Sequence, residues 1–147
     1  MKRLSVALML VVGVVVSMCA QDISMRNILE VSAPIVQYIE VDNNQEIVRM
    51  EFDIVASQPK YTFRTLHAGY TYGICAFGDY RVADLDIKVY KNVDDELLLL
   101  RKDEDESDVA TVVIEPSTTG EYIIEISAYE FMPGFNVGHY GLIIFHE

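Results

Sequence analysis

The sequence predicts a mainly β protein, an antiparallel β-sandwich preceded by one or two short helices. Three observations carry this. From residue 60 onward, short runs rich in β-branched and aromatic residues alternate polar with apolar side chains, the period-two signature of half-buried strands. Turn residues separate those runs at roughly 8–12-residue intervals, the rhythm of a sandwich. Before residue 56 the apolar residues recur at helical spacing instead.

The first element is an export signal over residues 1–20. Lys2 and Arg3 precede an apolar run from Val6 to Val16, and the small residues Ser17, Cys19 and Ala20 follow, the three-part layout of a secretory signal peptide. The run is shorter than the roughly 20 residues that span a bilayer, so no transmembrane span is expected. Cleavage after Ala20 leaves 127 residues, enough for one domain with a single core. It also removes two basic residues, so that 9 face 23 acidic ones, a net charge of −14. Such a chain repels phosphates and anionic lipid surfaces, which excludes nucleic acid as a partner. The expected location is secreted or periplasmic. The alternative is a lipid anchor in the cell envelope, because Val16-Ser17-Met18-Cys19 partly fits a lipoprotein cut before Cys19, with Met18 larger than the pattern wants.

Residues 21–58 are the N-terminal helical segment. Met25, Ile28 and Leu29, then Ile35, Val36 and Ile39, mark one helical face, and Pro34 interrupts it. Ile47, Met50, Phe52 and Ile54 continue less cleanly after the Asp42-Asn43-Asn44 turn, and fit a second helix or a strand. Residues 59–147 form the sandwich. Its expected strands are Tyr61 to Leu66, Tyr70 to Phe77, Leu85 to Tyr90, Leu97 to Leu100, Thr111 to Ile114, Tyr122 to Ile126 and Tyr140 to Phe145. The acidic loop from Asp103 to Asp108 and the turn Pro116-Ser117-Thr118-Thr119-Gly120 punctuate them.

Several of these runs carry recognisable motifs. Ala68-Gly69-Tyr70-Thr71-Tyr72 fits a turn, Asp84-Leu85-Asp86-Ile87-Lys88-Val89-Tyr90 a strand, Pro116 to Tyr122 a turn and strand, and Gly138 to Ile144 a closing strand. In this order they resemble the bacterial pre-peptidase C-terminal domain, over about 85 residues. The resemblance implies a jelly-roll-like sandwich that flanks secreted peptidases and helps in secretion, folding or binding without cutting bonds. No peptidase accompanies it in this chain, which leaves a stand-alone module. The segment before Ala56 lies outside the family pattern.

No catalytic constellation stands out. The mature chain has no Gly-x-Ser-x-Gly elbow, and His67, His139 and His146 are scattered without zinc-ligand spacing. Cys75 sits in an apolar strand-like run and reads as a small buried hydrophobe. The chain is therefore expected not to be an enzyme. The acidic residues offer the one candidate chemistry. Asp79, Asp84 and Asp86 flank one strand, and Asp103, Asp105 and Asp108 share one loop. Calcium takes six to eight oxygen ligands at flexible geometry, so these six are either its ligands or a solvated acidic hairpin. Asp84 and Asp86 fall on the same strand face; if that face is buried each needs a partner, and one caps turn amides. A second candidate is the apolar, turn-rich stretch with Phe131, Met132 and Phe135, read as a partner-binding loop or as a plug of the sandwich end. The function expected is an exported, non-catalytic binding or accessory module contacting a protein or polysaccharide outside the cytoplasm. The alternative is a structural envelope protein tethered through Cys19.

Overall fold

The computed structural model describes residues 24–147. The expected signal peptide and the Cys19 lipidation site lie outside the described residues. Helix α1 (Arg26–Val36) is followed by a π-helical turn (Gln37–Asp42) and eight strands: β1 (Glu46–Val55), β2 (Lys60–Leu66), β3 (Tyr72–Gly78), β4 (Val82–Val93), β5 (Glu96–Asp103), β6 (Val109–Ile114), β7 (Gly120–Phe131) and β8 (Gly138–His146). They form two four-stranded antiparallel sheets in the orders β1-β8-β3-β6 and β2-β7-β4-β5. Apart from the β4–β5 hairpin, each successive strand changes sheet. This is the order of a jelly roll, and the mainly β sandwich expected from the alternating pattern is observed.

Alternation builds the core. Leu85, Ile87 and Val89 of β4, Tyr122, Ile124 and Ile126 of β7 and Ile74 and Ala76 of β3 point between the sheets and are buried together. Fully burying each such leucine, isoleucine or valine stabilises the fold by about 1.5–3 kcal/mol. A second apolar cluster lies on the outer face of the first sheet, where Ile28 and Ile39 of the helical segment pack on Cys75, Phe77 and Ile143. Cys75 is thus a buried free thiol whose pKa burial pushes up.

Two expectations for the N-terminal segment are corrected. Pro34 does not interrupt α1; it lies within the helix, on its exposed side. The ladder loosens just after it: the Gln37 N–H is shared between the Ala33 and Pro34 carbonyls, and the π turn begins there. The boundary expected at residue 58 moves to Asp42, where the helical segment ends; of the second helix or strand expected after it, the strand is observed, Glu46–Val55 of the sandwich paired with β8. The misleading spacing has a physical origin. A β-bulge between Ile47 and Arg49 adds one residue to β1, so Ile47 and Met50, three apart, both pack with Phe52 against the helix cluster. A bulged strand imitates the i, i+3 spacing of a helix.

Candidate functional site

The two sheets meet at one end of the sandwich in the β3–β4 corner, where Asp79, Arg81 and His139 are all at least 98% buried. Asp79 Oδ1 accepts from the Arg81 backbone N–H (3.0 Å), and both carboxylate oxygens accept from Arg81 Nε (3.1 and 3.0 Å). Arg81 Nη2 also bonds Oδ2. The His139 backbone N–H donates to the same oxygen (3.2 Å), while Asp79 N–H donates back to the His139 carbonyl (3.0 Å). Arg81 Nη2 lies 2.6 Å from His139 Nδ1. A guanidinium only donates, so Nδ1 accepts and the ring proton sits on Nε2. Burial alone pushes the Asp79 carboxyl up, but the hydrogen bonds from Arg81 and His139 and the Arg81 charge outweigh it and hold the pKa below 3.8. Gly138 lets the corner close, since a Cβ there would stand 2.7 Å from Val82 Cγ2. Asp79 is therefore fully used inside the fold and has no lone pair to offer a cation.

Five residues along, β4 carries a different pair. Leu85, Ile87 and Val89 face the core, so Asp84, Asp86 and Lys88 face outward. Yet Asp84 and Asp86 are only 6% and 8% exposed, because the β5–β6 loop folds over them. Ser107 N–H donates to Asp84 Oδ1 (3.3 Å), and the Leu85 N–H donates to the Ser107 carbonyl (2.8 Å). The result is an open groove of about 670 Å³ lined by Asp84, Asp86, Lys88, Glu104, Glu106, Tyr129 and Glu130. Five carboxylates face one ammonium. Lys88 is itself held by Glu104 (3.0 Å) and Glu125 (3.8 Å). Asp86 accepts no hydrogen bond among the described residues, and its remaining exposure opens into the groove. Burial first, then the charges of Asp84 and Glu104, push its pKa above 3.8, against the opposing pull of Lys88.

The six aspartates do not assemble into one site. Asp84 and Asp86 share the groove, and Asp79 belongs to the corner. Asp103 is a turn cap, its Oδ2 accepting from Thr111 N–H (2.8 Å) and its Oδ1 from Asp105 N–H (3.2 Å). Asp105 and Asp108 are exposed and do not line the groove. Among the described residues no group of three or more His, Cys, Asp or Glu side chains is arranged to hold a metal ion. The apolar loop also divides. Phe131 ends β7 and packs at the edge of the core, Phe135 stacks edge-on to Tyr80 (5.6 Å between ring centres), and Met132 stays exposed at 45%.

Sequence reasoning missed Glu104, Glu106, Tyr129 and Glu130 as partners of Asp84 and Asp86. Strand alternation points to Lys88, but the loop closure that adds the glutamates is a tertiary contact. It also missed Arg81 and His139. Asp79-Tyr80-Arg81 beside a glycine hints at a paired turn, whereas His139 is 60 positions away with no local cue.

At the opposite end a cleft of about 700 Å³ is lined by Arg49, Arg64, His67, Tyr70, Tyr72 and His146 among others. Its arginines are already bound, both through Nε to Glu51 Oε1 at 3.0 Å.

No family model matches the chain, and no curated protein matches it. Among solved structures it is similar to PliG, a periplasmic inhibitor of g-type lysozyme from Aeromonas hydrophila, with 10% identity, coverage of 67% of this chain and 85% of that one, and a TM-score of 0.47. A Sulfurospirillum deleyianum protein has 10% identity, 67% and 98% coverage and a TM-score of 0.46. PirA has 14% identity, 69% and 96% coverage and a TM-score of 0.42. At these scores the likeness says nothing about ligand or partner.

Proposed function

We propose that the chain is an exported, non-catalytic binding module of the pre-peptidase C-terminal kind, and that it contacts a basic protein outside the cytoplasm through the Asp84–Asp86 groove. One observation carries the reading: Asp86 is nine-tenths buried, lacks a hydrogen-bond partner among the described residues, and opens into a groove with four further carboxylates. No buried side-chain oxygen among the described residues is left without a partner, so the Asp86 carboxylate meets water through the groove, and an ammonium or guanidinium entering there meets five carboxylates at once. Family type is supported by the ordered motifs together with the jelly-roll strand order. The export reading rests on residues 1–20, and tethering through Cys19 in place of release after Ala20 is told apart by the mass of the mature N-terminus.

Calorimetric titration with oligolysine tests the contact. Binding is expected to weaken as salt rises and to fall at least about tenfold, 1.4 kcal/mol, in the Asp84→Asn/Asp86→Asn double variant. Equal affinity for oligolysine and a neutral peptide contradicts it. Calcium that raises the melting temperature while oligolysine binds no better than the neutral peptide replaces the basic partner by a metal.

A further inference from the structure

The β4–β5 hairpin carries three consecutive exposed leucines. β5 is the last strand of its sheet, so one edge of its backbone has no strand beside it. Along that edge Leu97, Leu98 and Leu99 are 58%, 53% and 43% exposed. The three leucines carry no inward charge or proline to block strand addition, the edge being interrupted only beyond them by the β-bulge at Leu100, and an apolar patch of this sort marks an interaction surface.

The charges around the leucines say what fits there. Asp94, Asp95 and Glu96 precede them, and Arg101 and Lys102 follow. The three acids and Arg101 form no ion pair among the described residues, and the Arg101 Nη1 donates to the Leu100 carbonyl (2.8 Å). Lys102 is paired with Glu104. The strand thus opens beside acids, is apolar in the middle and carries Arg101 and the Glu104-bound Lys102 beyond, ahead of its last residue Asp103, so that reversing a second copy brings Arg101 to the acidic end. A parallel partner of the same sequence would set acid against acid, whereas an antiparallel one sets acid against base.

We propose that β5 pairs antiparallel with β5 of a second copy of this chain, joining the two second sheets into one of eight strands. A two-fold axis at Leu98 sets Leu98 against Leu98 of the second copy and Leu97 against its Leu99. These side chains leave water on both faces of the joined sheet. The acidic turn of each copy then lies beside Arg101 and Lys102 of the other. The same patch serves both copies, so the contact closes as a dimer and does not propagate. The inference is independent of the groove, since none of the three leucines lines it.

Sedimentation equilibrium of the purified protein across the micromolar range tests this. The wild type is expected to sediment as a dimer. Leu98→Lys is expected to raise the dissociation constant by on the order of tenfold or more with an unchanged melting profile at low protein concentration, because Leu98 is half exposed in the single copy. Arg101→Glu is expected to weaken association, and adding Asp95→Arg, at the position this register sets beside residue 101 of the other copy, to restore it. A monomer at every concentration overturns the proposal, as does a dimer that survives Leu98→Lys. Failure of the double reversal to restore association overturns the antiparallel register.

Discussion

Asp79 and Asp86 are seven residues apart, both more than nine-tenths buried, and opposite in fate. The β3–β4 corner surrounds Asp79 with Arg81 and two His139 contacts, and its carboxyl is held below the ordinary value. The groove surrounds Asp86 with other acids, and its carboxyl is pushed above it. Burial is common to both, so burial alone decides nothing. Donors convert one carboxylate into a structural clamp, and their absence leaves the other open to the groove.

The comparison breaks most visibly at the corner. Asp79→Ala leaves the Arg81 guanidinium buried without its anion, and a loss of about 3–5 kcal/mol is expected in urea denaturation. Replacing both partners together, Asp79→Leu with Arg81→Met, is expected to cost less than the single change, because no unpaired charge remains. The acid limb of stability follows from the same group. Its folded pKa lies below 3.8, so its contribution is complete above that value and is lost as pH falls through the folded pKa; Asp79→Ala is expected to flatten that limb of a stability–pH curve.

A smaller effect comes from a third pair of acids whose cost is in the backbone. Asp94 and Asp95 form the two-residue turn of the β4–β5 hairpin with φ of 53° and 66°, the left-handed region that glycine enters without penalty. Asp95→Gly is expected to stabilise the protein by about 1 kcal/mol in thermal unfolding. Smallest is Asp86→Asn. With its pKa raised, ionised Asp86 costs stability above the folded pKa and none below 3.8. The variant is therefore expected to gain under about 1 kcal/mol at neutral pH, with the gain gone in acid. A loss of stability at neutral pH would mean that Asp86 has a partner in the fold after all.

The strands were legible because alternation survives wherever a strand has one face in the core, as in Leu85, Ile87 and Val89. β1 was legible only as a strand or a second helix, because its bulge at Val48 moves Ile47 and Met50 into helical spacing. Half of the groove was legible too. Period two places Asp84 and Asp86 on one face, and the sequence reading that one of them caps a turn amide matches the Ser107 N–H on Asp84. What could not be read is which acid meets which donor. The pairing of Asp79 with His139 joins β3 to β8 across 60 residues, and the glutamates reach the groove only when the β5–β6 loop closes over β4. Local pattern gives the face of a side chain, and only the fold gives its neighbours.

The most direct test is a carbon NMR titration of the Asp79 and Asp86 carboxyl groups, with and without oligolysine. Asp79 is expected to titrate below 3.8 and Asp86 above it, with Asp86 alone of the two dropping when oligolysine is added. An Asp86 carboxyl that titrates below 3.8 in the unliganded protein, or one unmoved by oligolysine, would contradict that expectation.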